Sequence, residues 1–422
     1  MEMKAPRGVR DILPEESWKW AYILNVLRET MNDFGYSEIH LPIFEHTELF
    51  ARGVGDTTDI VEKEMYTFTD RGGRSITLRP EATASIIRLC LEHNLCGNGT
   101  PLKVWTAGPM FRYERPQKGR FRQFWQIDAE FLGVASSMAD ADIIALSIEC
   151  FHRLGLRNLS VVINSVGCPK CRPAYREKLI EYFKSNTSQL CDLCLSRLER
   201  NPLRLLDCKN ENCILITDGA PSSIDNLCDE CSEHFSSTIK LLGTWNISYV
   251  IDKKLVRGLD YYTKTAYEIL SGELGSQNAV CGGGRYDNLS ETIGGPRLHG
   301  VGFAAGIERI ALVMEQQNCS FGQEPRTKVY VISFDSSDEA VQMAVYNLTM
   351  KLRKSFIAAE MDLLGRSFKA QLKSANSSNA RFACIIGPDE VKAKTVSIKD
   401  LATGEQTSIN EDNIISYLNI FF

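Results

Sequence analysis

No uncharged apolar stretch of about 18 residues occurs in the chain, so nothing in it reads as a membrane-spanning helix. The opening MEMKAPRGVRDILPEE also lacks the apolar core of a signal peptide. Internal repeats and low-complexity tracts are missing, and Gly (30) and Pro (14) are unremarkable among 422 residues, which excludes collagenous and disordered classes. Strong charge of either sign is absent: 48 basic and 53 acidic residues leave a net of −5. Whole-chain electrostatics therefore exclude a general polyanion binder and leave only local charge to attract one. The expectation is a soluble, cytoplasmic, ordered chain with no membrane partner, and a length that allows two to four domains at about 100–200 residues each.

Apolar residues make up 44% of the chain, and their spacing changes along it. Trp20, Ile23, Leu27, Met31 and Phe34 recur every three or four positions before Gly35, which predicts an amphipathic helix over 14–35. Short β-like runs follow at 37–44, 75–78, 102–108 and 121–133, with few helices between them (82–94 and 138–154), so a mainly antiparallel sheet is expected. Strand-like chain resumes at 248–252 and 260–270, then a Gly-rich turn and a helix over 306–317. Past Pro325 strands and helices alternate, which predicts a small α/β domain with a mostly parallel sheet. The expected organisation is a core over 1–325, interrupted by a cysteine-rich insertion at 166–242, and a separate domain at 326–422.

Cysteine is unevenly spread. Eight of the 14 lie between Cys168 and Cys231, as Cys168-x2-Cys171, Cys191-x2-Cys194, Cys208-x4-Cys213 and Cys228-x2-Cys231. In a reducing compartment four such knuckles fit two tetrahedral thiolate zinc sites. Eight buried reduced thiols, a single zinc site and an iron–sulfur cluster stay open as alternatives. Four knuckles combine into two sites in three ways, and spacing does not choose among them. An insertion with little core would gain stability from metal. Metal removal is then expected to loosen 166–242 first and to leave chemistry elsewhere partly intact.

Arg and carboxylate residues also occur inside strand-like segments, where they must be paired or bind something charged. Alternation puts Gln126, Asp128 and Glu130 on one strand face. Glu81 and Thr83 lie at a strand-to-helix turn, and Arg112 lies in GPMFRYERP. Singly, Arg112 and Arg309 fit structural ion pairs as well as they fit a site, and Tyr261 and Tyr262 fit a core.

Taken together these stretches carry a resemblance. GPMFRYERPQKGRFRQFWQIDAEFLG (108–133) resembles the second shared motif of class II aminoacyl-tRNA synthetases, and GVGFAAGIERI (300–310) resembles the third. LVRGLDYYTKTAYE (255–268) and CGGGRYDNL (281–289) resemble two stretches particular to histidyl-tRNA synthetases of bacterial type, and APRGVRDILPEE and the LRPEAT turn are similar to that family too. The resemblance implies an α+β class II core, a mainly antiparallel sheet flanked by helices, with a C-terminal anticodon-binding α/β domain. It implies ATP with Mg²⁺, L-histidine and histidine tRNA as reactants, and a homodimer whose interface includes Pro42.

Carried onto matching positions, the resemblance assigns Arg112 to the α-phosphate and the amino-acid carboxylate, Arg257 to the reacting centre, and Arg309 to the γ-phosphate. Glu81, Ala82 and Thr83 form the turn that binds the α-amino group, and Glu130 and Tyr262, with Gln126 and Tyr261, read the imidazole. Glycines 282–284 would let backbone approach the bound amino acid. The loop 114–122, ERPQKGRFR, holds four cationic residues and Gln117, and Gln117, Arg120 and Arg122 are implied to face the tRNA acceptor end. Asp128 and Ala82 stand where the family commonly has glycine. A non-catalytic regulatory subunit of ATP phosphoribosyltransferase shares such a core but not the C-terminal domain or all the reactive positions. Synthetases for threonine, proline or glycine should lack RGLDYY.

Overall fold

Helix α1 (Pro14–Asp33) forms in the computed structural model much as its sequence dictates: Pro14 opens it, Glu15 and Glu16 face the positive end of the helix dipole, and Trp20, Ile23, Leu27 and Met31 are buried along one stripe. The residues described are 3–55, 58–117, 119–274 and 278–422, in two compact units, Met1–Gly322 and Gln323–Phe422. Among them no helix is long and apolar enough to cross a membrane.

Along the first unit follow β1 (Ser37–Glu38), β2 (Phe44–His46), α2 (Thr47–Val54), a π-helical turn Ile60–Glu64, β3 (Tyr66–Thr69), β4 (Ser75–Leu78) and α3 (Thr83–Glu92). The long hairpin β5 (Leu102–Phe111) and β6 (Gln123–Leu132) leads to α4 (Ser137–Arg153) and β7 (Leu159–Ser165). Four helices come next, α5 (Arg172–Lys184), α6 (Asp192–Arg200), α7 (Glu211–Thr217) and α8 (Asp229–Thr244). The unit closes with β8 (Tyr249–Ile251), β9 (Thr263–Ser271), β10 (Ala279–Arg285), α9 (Leu289–Thr292), β11 (Gly300–Gly306) and α10 (Ile307–Gln316). The main sheet runs β1-β5-β6-β11-β10-β9-β7-β8 and is antiparallel from β5 to β7, as expected, with one parallel pairing at each edge. The expected strand at 37–44 is only β1; past Pro42 the chain leaves the main sheet for the small sheet β2-β4-β3.

Side-chain alternation divides the main sheet into two chemically distinct faces. Trp105, Ile127, Ala129, Tyr267, Ile269, Val301, Phe303 and Ala305 share the apolar core with α1, α4 and α10. Positions in between point the other way. Register places Glu130 beside Gly302, Asp128 beside Ala304 and Gln126 beside Gly306, while Gly282 pairs with Ala304 and Glu268. This second face is therefore a row of polar groups on β6 bordered by residues with almost no side chain.

The glycine run expected as a turn is instead the middle of β10. Its glycines are steric requirements: a Cβ on Gly282 would overlap the Arg257 guanidinium, and one on Gly283 would meet the Gly302 carbonyl. Gly284 adopts φ +153°, a value side chains avoid. Local sequence reads Gly-Gly-Gly as a turn; the neighbouring strands decide otherwise.

The cysteine-rich region has a small core of its own, including Tyr175, Leu179, Phe183, Leu198, Leu205 and Leu206. Its last helix is different. Phe235 and Leu242 of α8 join the main core, because α8 packs along α4.

In the second unit, β12 (Val329–Ser333), α11 (Glu339–Lys354), β13 (Ala359–Met361), α12 (Phe368–Ser377) and β14 (Phe382–Ile386) follow the expected alternation with parallel pairings. The sheet is mixed rather than mostly parallel. After α13 (Pro388–Ala393), β15 (Thr395–Asp400) and β16 (Gln406–Asn410) add two antiparallel pairings, and the final helix α14 (Ile414–Leu418) is short.

Arg285, at the end of β10, is fully buried. Its Nε donates to Asp140 (3.0 Å to Oδ2), Nη1 donates to the Val134 carbonyl (2.8 Å) and to Asp287 (3.0 Å), and Nη2 donates to the Ser136 carbonyl (3.0 Å) and to Asp140. Burial alone would push the Asp140 carboxyl up, but Arg285 and His234, whose Nε2 lies 3.1 Å away, hold it below its ordinary value. Arg285→Met leaves that carboxylate buried without its main partner, and we expect a loss of about 3–5 kcal/mol in urea unfolding of this unit. The double variant Arg285→Met/Asp140→Leu should recover much of the loss; a double variant no more stable than the single one would contradict this account.

Candidate active site

The polar sheet face opens into two adjoining cavities. One, of about 290 Å³, is lined by Glu81, Thr83, Gln126, Asp128, Glu130, Tyr261, Tyr262 and Tyr286 among others. The second, of about 220 Å³, is bordered by Glu114, Phe124, Glu268, Glu308 and Arg309. Arg112, Arg120, Gln126 and Arg257 line both. A larger groove, about 810 Å³, runs along α4 and α8, but none of the motif residues faces it.

Glu130 is the fixed point of the first cavity. Its Oε1 accepts from Thr83 Oγ1 (2.8 Å) and its Oε2 from the Tyr286 hydroxyl. Gly302 is glycine because a Cβ there would overlap that carboxylate. Burial pushes the Glu130 and Asp128 carboxyls well above their ordinary range, against hydrogen bonds to Glu130 and the pull of Arg79 and Arg112 on Asp128. Three buried polar atoms here have no hydrogen-bond partner: Gln126 Oε1, Asp128 Oδ2 and Arg257 Nε. Buried polar groups are rarely left so, and two acceptors and a donor facing one cavity suit a ligand with polar groups of both kinds.

Glu81 spends part of its acceptor capacity locally. Its carboxylate accepts from the backbone N–H of Thr83 (2.8 Å) and Ala84 (2.9 Å), satisfying two free donors at the start of α3. Burial raises its pKa while these bonds lower it. Ala82 stands apart, fully buried in the apolar cluster with Ile86 and Tyr286 and not on the cavity wall.

The cations are held by short-range partners. Arg257 pairs with Glu268 and lies over the Tyr262 ring (5.7 Å); burial opposes its charge, but Glu268 keeps its pKa raised. Arg112 Nε donates to the Pro80 carbonyl (2.8 Å), and its guanidinium lies over Phe124 (5.3 Å). Arg309, in the first turn of α10, donates to the Ala279 carbonyl, and burial lowers its pKa.

The 114–122 loop divides. Arg120 reaches the cavities and pairs with Glu114 (3.0 Å), while Gln117 is exposed and shares a tight turn with Arg120. Arg122 is occupied elsewhere, lying over the Tyr113 ring (3.7 Å) and donating to the Glu114 carbonyl. Lys118 lies outside the described residues. Sequence reasoning missed Tyr286, Glu268, Glu114 and Glu308 as wall residues, although all four sit within the quoted motifs.

All eight clustered cysteines are free thiols in two quartets, Cys168/Cys171/Cys228/Cys231 and Cys191/Cys194/Cys208/Cys213. The pairing is nested, first knuckle with fourth and second with third, not interleaved. Within each quartet the sulfurs lie within 4.8 Å of one another. Separations of 3.7 Å (Cys168–Cys171), 3.9 Å (Cys168–Cys228) and 3.8 Å (Cys191–Cys208) match the edge of about 3.8 Å of a thiolate tetrahedron at about 2.3 Å from its centre. Backbone N–H groups of Cys228 (3.1 Å to Cys171 Sγ) and Cys191 (3.3 Å to Cys213 Sγ) point at sulfur, as suits thiolates.

Comparison with known proteins matches residues 8–310 to a family model described as histidyl-tRNA synthetase and residues 328–419 to one described as anticodon binding domain. The chain is 50% identical over 413 residues to the histidine–tRNA ligase of Pelotomaculum thermopropionicum, covering 98% of this chain and 96% of that protein. It is 46% identical over 421 residues to that of Acetivibrio thermocellus, covering all of both. Among solved structures, apo histidyl-tRNA synthetase of S. aureus superposes with a TM-score of 0.84 at 38% identity, over 99% of this chain and all of the other.

Glu308 supplies a pH test of the second cavity. Burial pushes its carboxyl up to about 7, against the Trp125 N–H it accepts (3.0 Å) and the nearby Arg10 charge. The folded state therefore holds this proton more tightly than the unfolded chain, and stability falls as pH rises from about 4.3 towards 7. Glu308→Gln keeps an acceptor for Trp125 and cannot ionise. Its stability relative to wild type in urea unfolding should rise over that window and level off above it; a pH-independent difference would refute the burial argument.

Proposed function

The chain belongs to the histidyl-tRNA synthetase family, and from that membership and its polar cavity we infer that it attaches L-histidine to the 3′ end of histidine tRNA in an ATP-dependent reaction. A carboxylate oxygen of histidine attacks the α-phosphorus of ATP and pyrophosphate leaves; a hydroxyl of the terminal ribose then attacks the carbonyl carbon of the adenylate and AMP leaves. The observation that carries the reading is the anchored Glu130 beside the unpartnered Gln126 Oε1, Asp128 Oδ2 and Arg257 Nε.

In this reading Glu130 and Gln126, with Tyr261 and Tyr262, take the two imidazole nitrogens, and rejection of apolar amino acids follows because these buried groups would be left unpaired. Glu81 keeps lone pairs for the ammonium group after capping α3, with Thr83 and Asp128 nearby; Asp128, in place of a small residue, adds a second carboxylate towards that charge. Ala82 supports the turn from behind. Arg112 and Arg257 border both cavities, where the carboxylate and α-phosphate meet, and fixed guanidinium groups there stabilise charge as it develops. Arg309 lines the phosphate cavity as the γ-phosphate contact. Mg²⁺, when bound, neutralises phosphate charge, and Glu114, Glu268 and Glu308 are carboxylates on that wall fit to hold it. Gln117 and Arg115 form the exposed edge offered to the acceptor end, with Arg120 turned inward and Arg122 bracing the loop. The Gln323–Phe422 unit contacts the anticodon arm.

A regulatory subunit of ATP phosphoribosyltransferase is not favoured. Identity near 50% to histidine–tRNA ligases extends through the anticodon-binding unit, and Arg112, Arg257 and Arg309 are retained. A cytoplasmic location fits this role. Exchange of pyrophosphate into ATP should require histidine and fail with threonine or proline. Arg257→Ala should slow it by about 10²–10³-fold with little effect on the KM for ATP. Equal exchange with another amino acid, or a variant near the wild-type rate, would overturn the respective assignment.

The cysteine quartets support two structural zinc ions per chain: donor type, count and sulfur spacing all suit tetrahedral thiolate ligation. A homodimer is supported by Ile43, Phe44 and Phe68, exposed near Pro42; register puts Phe44 and Phe68 on one face of the small sheet. Native mass spectrometry should find a dimer carrying four zinc ions. A metal-free monomer would refute both assignments.

A further inference from the structure

Between β8 and β9 the chain from Asp252 to Tyr262 has no helix or strand, yet it carries Arg257, Tyr261 and Tyr262. Such a segment has few hydrogen bonds of its own, so its position is set by what it touches. Much of that contact comes from the cysteine-rich region. Arg204 Nη1 donates to the Arg257 carbonyl (3.1 Å), and Asn201 Nδ2 donates to Asp260 Oδ1 (2.9 Å). At the other end Arg172, the residue after Cys171, donates to the Tyr262 carbonyl. Lys264, two residues past Tyr262, bonds through its N–H to the Gly167 carbonyl (2.9 Å) and through Nζ to Glu230 (2.9 Å), beside Cys231.

Each quartet thus sits behind one end of the segment. Asn201 and Arg204 lie in the thirteen-residue stretch between Cys194 and Cys208, a loop that ligation of both cysteines would close. Arg204 is almost buried and also reaches Asp59 (3.6 Å), which Arg197 of the same stretch binds at 2.9 Å. A donor positions a carbonyl only if the donor is itself held, and besides these ion pairs this part of the chain has a small apolar core around Leu198 and Leu205.

We propose that the two tetrathiolate centres clamp the Arg257–Tyr262 segment from its two ends, with Arg204 as the positioning residue that transmits the constraint of the Cys191/Cys194/Cys208/Cys213 centre to Arg257. The proposal rests on the zinc and synthetase readings above. It revises the expectation that metal removal leaves the chemistry partly intact: the 255–268 motif lies outside 166–242 in sequence, but its backbone is hydrogen-bonded to that region in space. Displacement of a reacting group by about 1 Å can cost about 10²-fold in rate.

The test measures zinc content and histidine-dependent pyrophosphate exchange on the full-length protein, as wild type, Arg204→Ala and Arg204→Lys, and on wild type before and after zinc removal and re-addition. Arg204→Ala should keep two zinc ions and an unchanged KM for ATP while kcat falls about 10–100-fold, the scale of a sub-ångström to 1 Å displacement. Arg204→Lys, which can still donate to one carbonyl, should recover most of it. Zinc-stripped wild type should lose kcat likewise and regain it on re-addition. Wild type that holds zinc but whose Arg204→Ala variant has full kcat overturns the clamp alone. Zinc-stripped wild type with full kcat likewise overturns the clamp alone; wild type that is purified active without zinc overturns the metal reading and the clamp with it, and a wild type inactive with histidine overturns the synthetase reading.

Discussion

The buried Arg285 guanidinium holds together pieces that are far apart in the chain. All its N–H groups are used, on Asp140 at the start of α4, on Asp287, and on the carbonyls that precede α4. His234 of α8 lies against the same Asp140. The Asp287 N–H in turn donates to Thr263 Oγ1 (3.1 Å), one residue past Tyr262. One charge cluster therefore sets the height of β10 against the helical layer and the start of β9. The glycines of β10 form the wall on which Arg257 lies, so the cavity inherits its shape from an ion pair that never touches it. Burying such a cluster gains little stability over apolar packing, but breaking it is costly, and that asymmetry favours a single arrangement of the strands around it.

The cavity itself departs from the rules the rest of the fold obeys. Arg285, Asp140 and Asp287 are buried as partners; here Asp128, Glu130 and Glu81 crowd one wall, and burial disfavours ionisation of all three. Small residues opposite them are what make this tolerable, since Gly282, Gly302 and Ala304 leave room for a ligand to supply the missing partners. Three unpartnered polar atoms gathered on one cavity wall indicate where binding energy is to be spent.

The cysteine region addresses a different constraint. Its own core is small, and in the proposed reading zinc held by the two cysteine quartets would substitute for missing apolar area. Nested pairing follows from the path of the chain: the outer knuckles, Cys168/Cys171 and Cys228/Cys231, lie where the region leaves β7 and where α8 begins, while the inner ones close a loop within it. The outer quartet lies where the region joins the sheet, and the inner one flanks the part that reaches Arg257.

Much was legible from sequence because it is local. The three-to-four-residue rhythm of Trp20, Ile23, Leu27 and Met31 specifies α1, alternation puts Gln126, Asp128 and Glu130 on one face, and ordered motifs name the family. Other features depend on which distant segments meet. Gly282–Gly284 reads as a turn until β9 and β11 flank it as strands, β16 has no strong apolar alternation of its own, and the role of Glu81 at α3 needs the helix start to be in place. Spacing alone left three pairings of the cysteine knuckles, and only the fold brings the first beside the fourth. Local periodicity records which side of an element is dry. Long-range packing decides what lies across from it, and for this chain that includes the contact by which Arg204 of the cysteine-rich region reaches the backbone of Arg257.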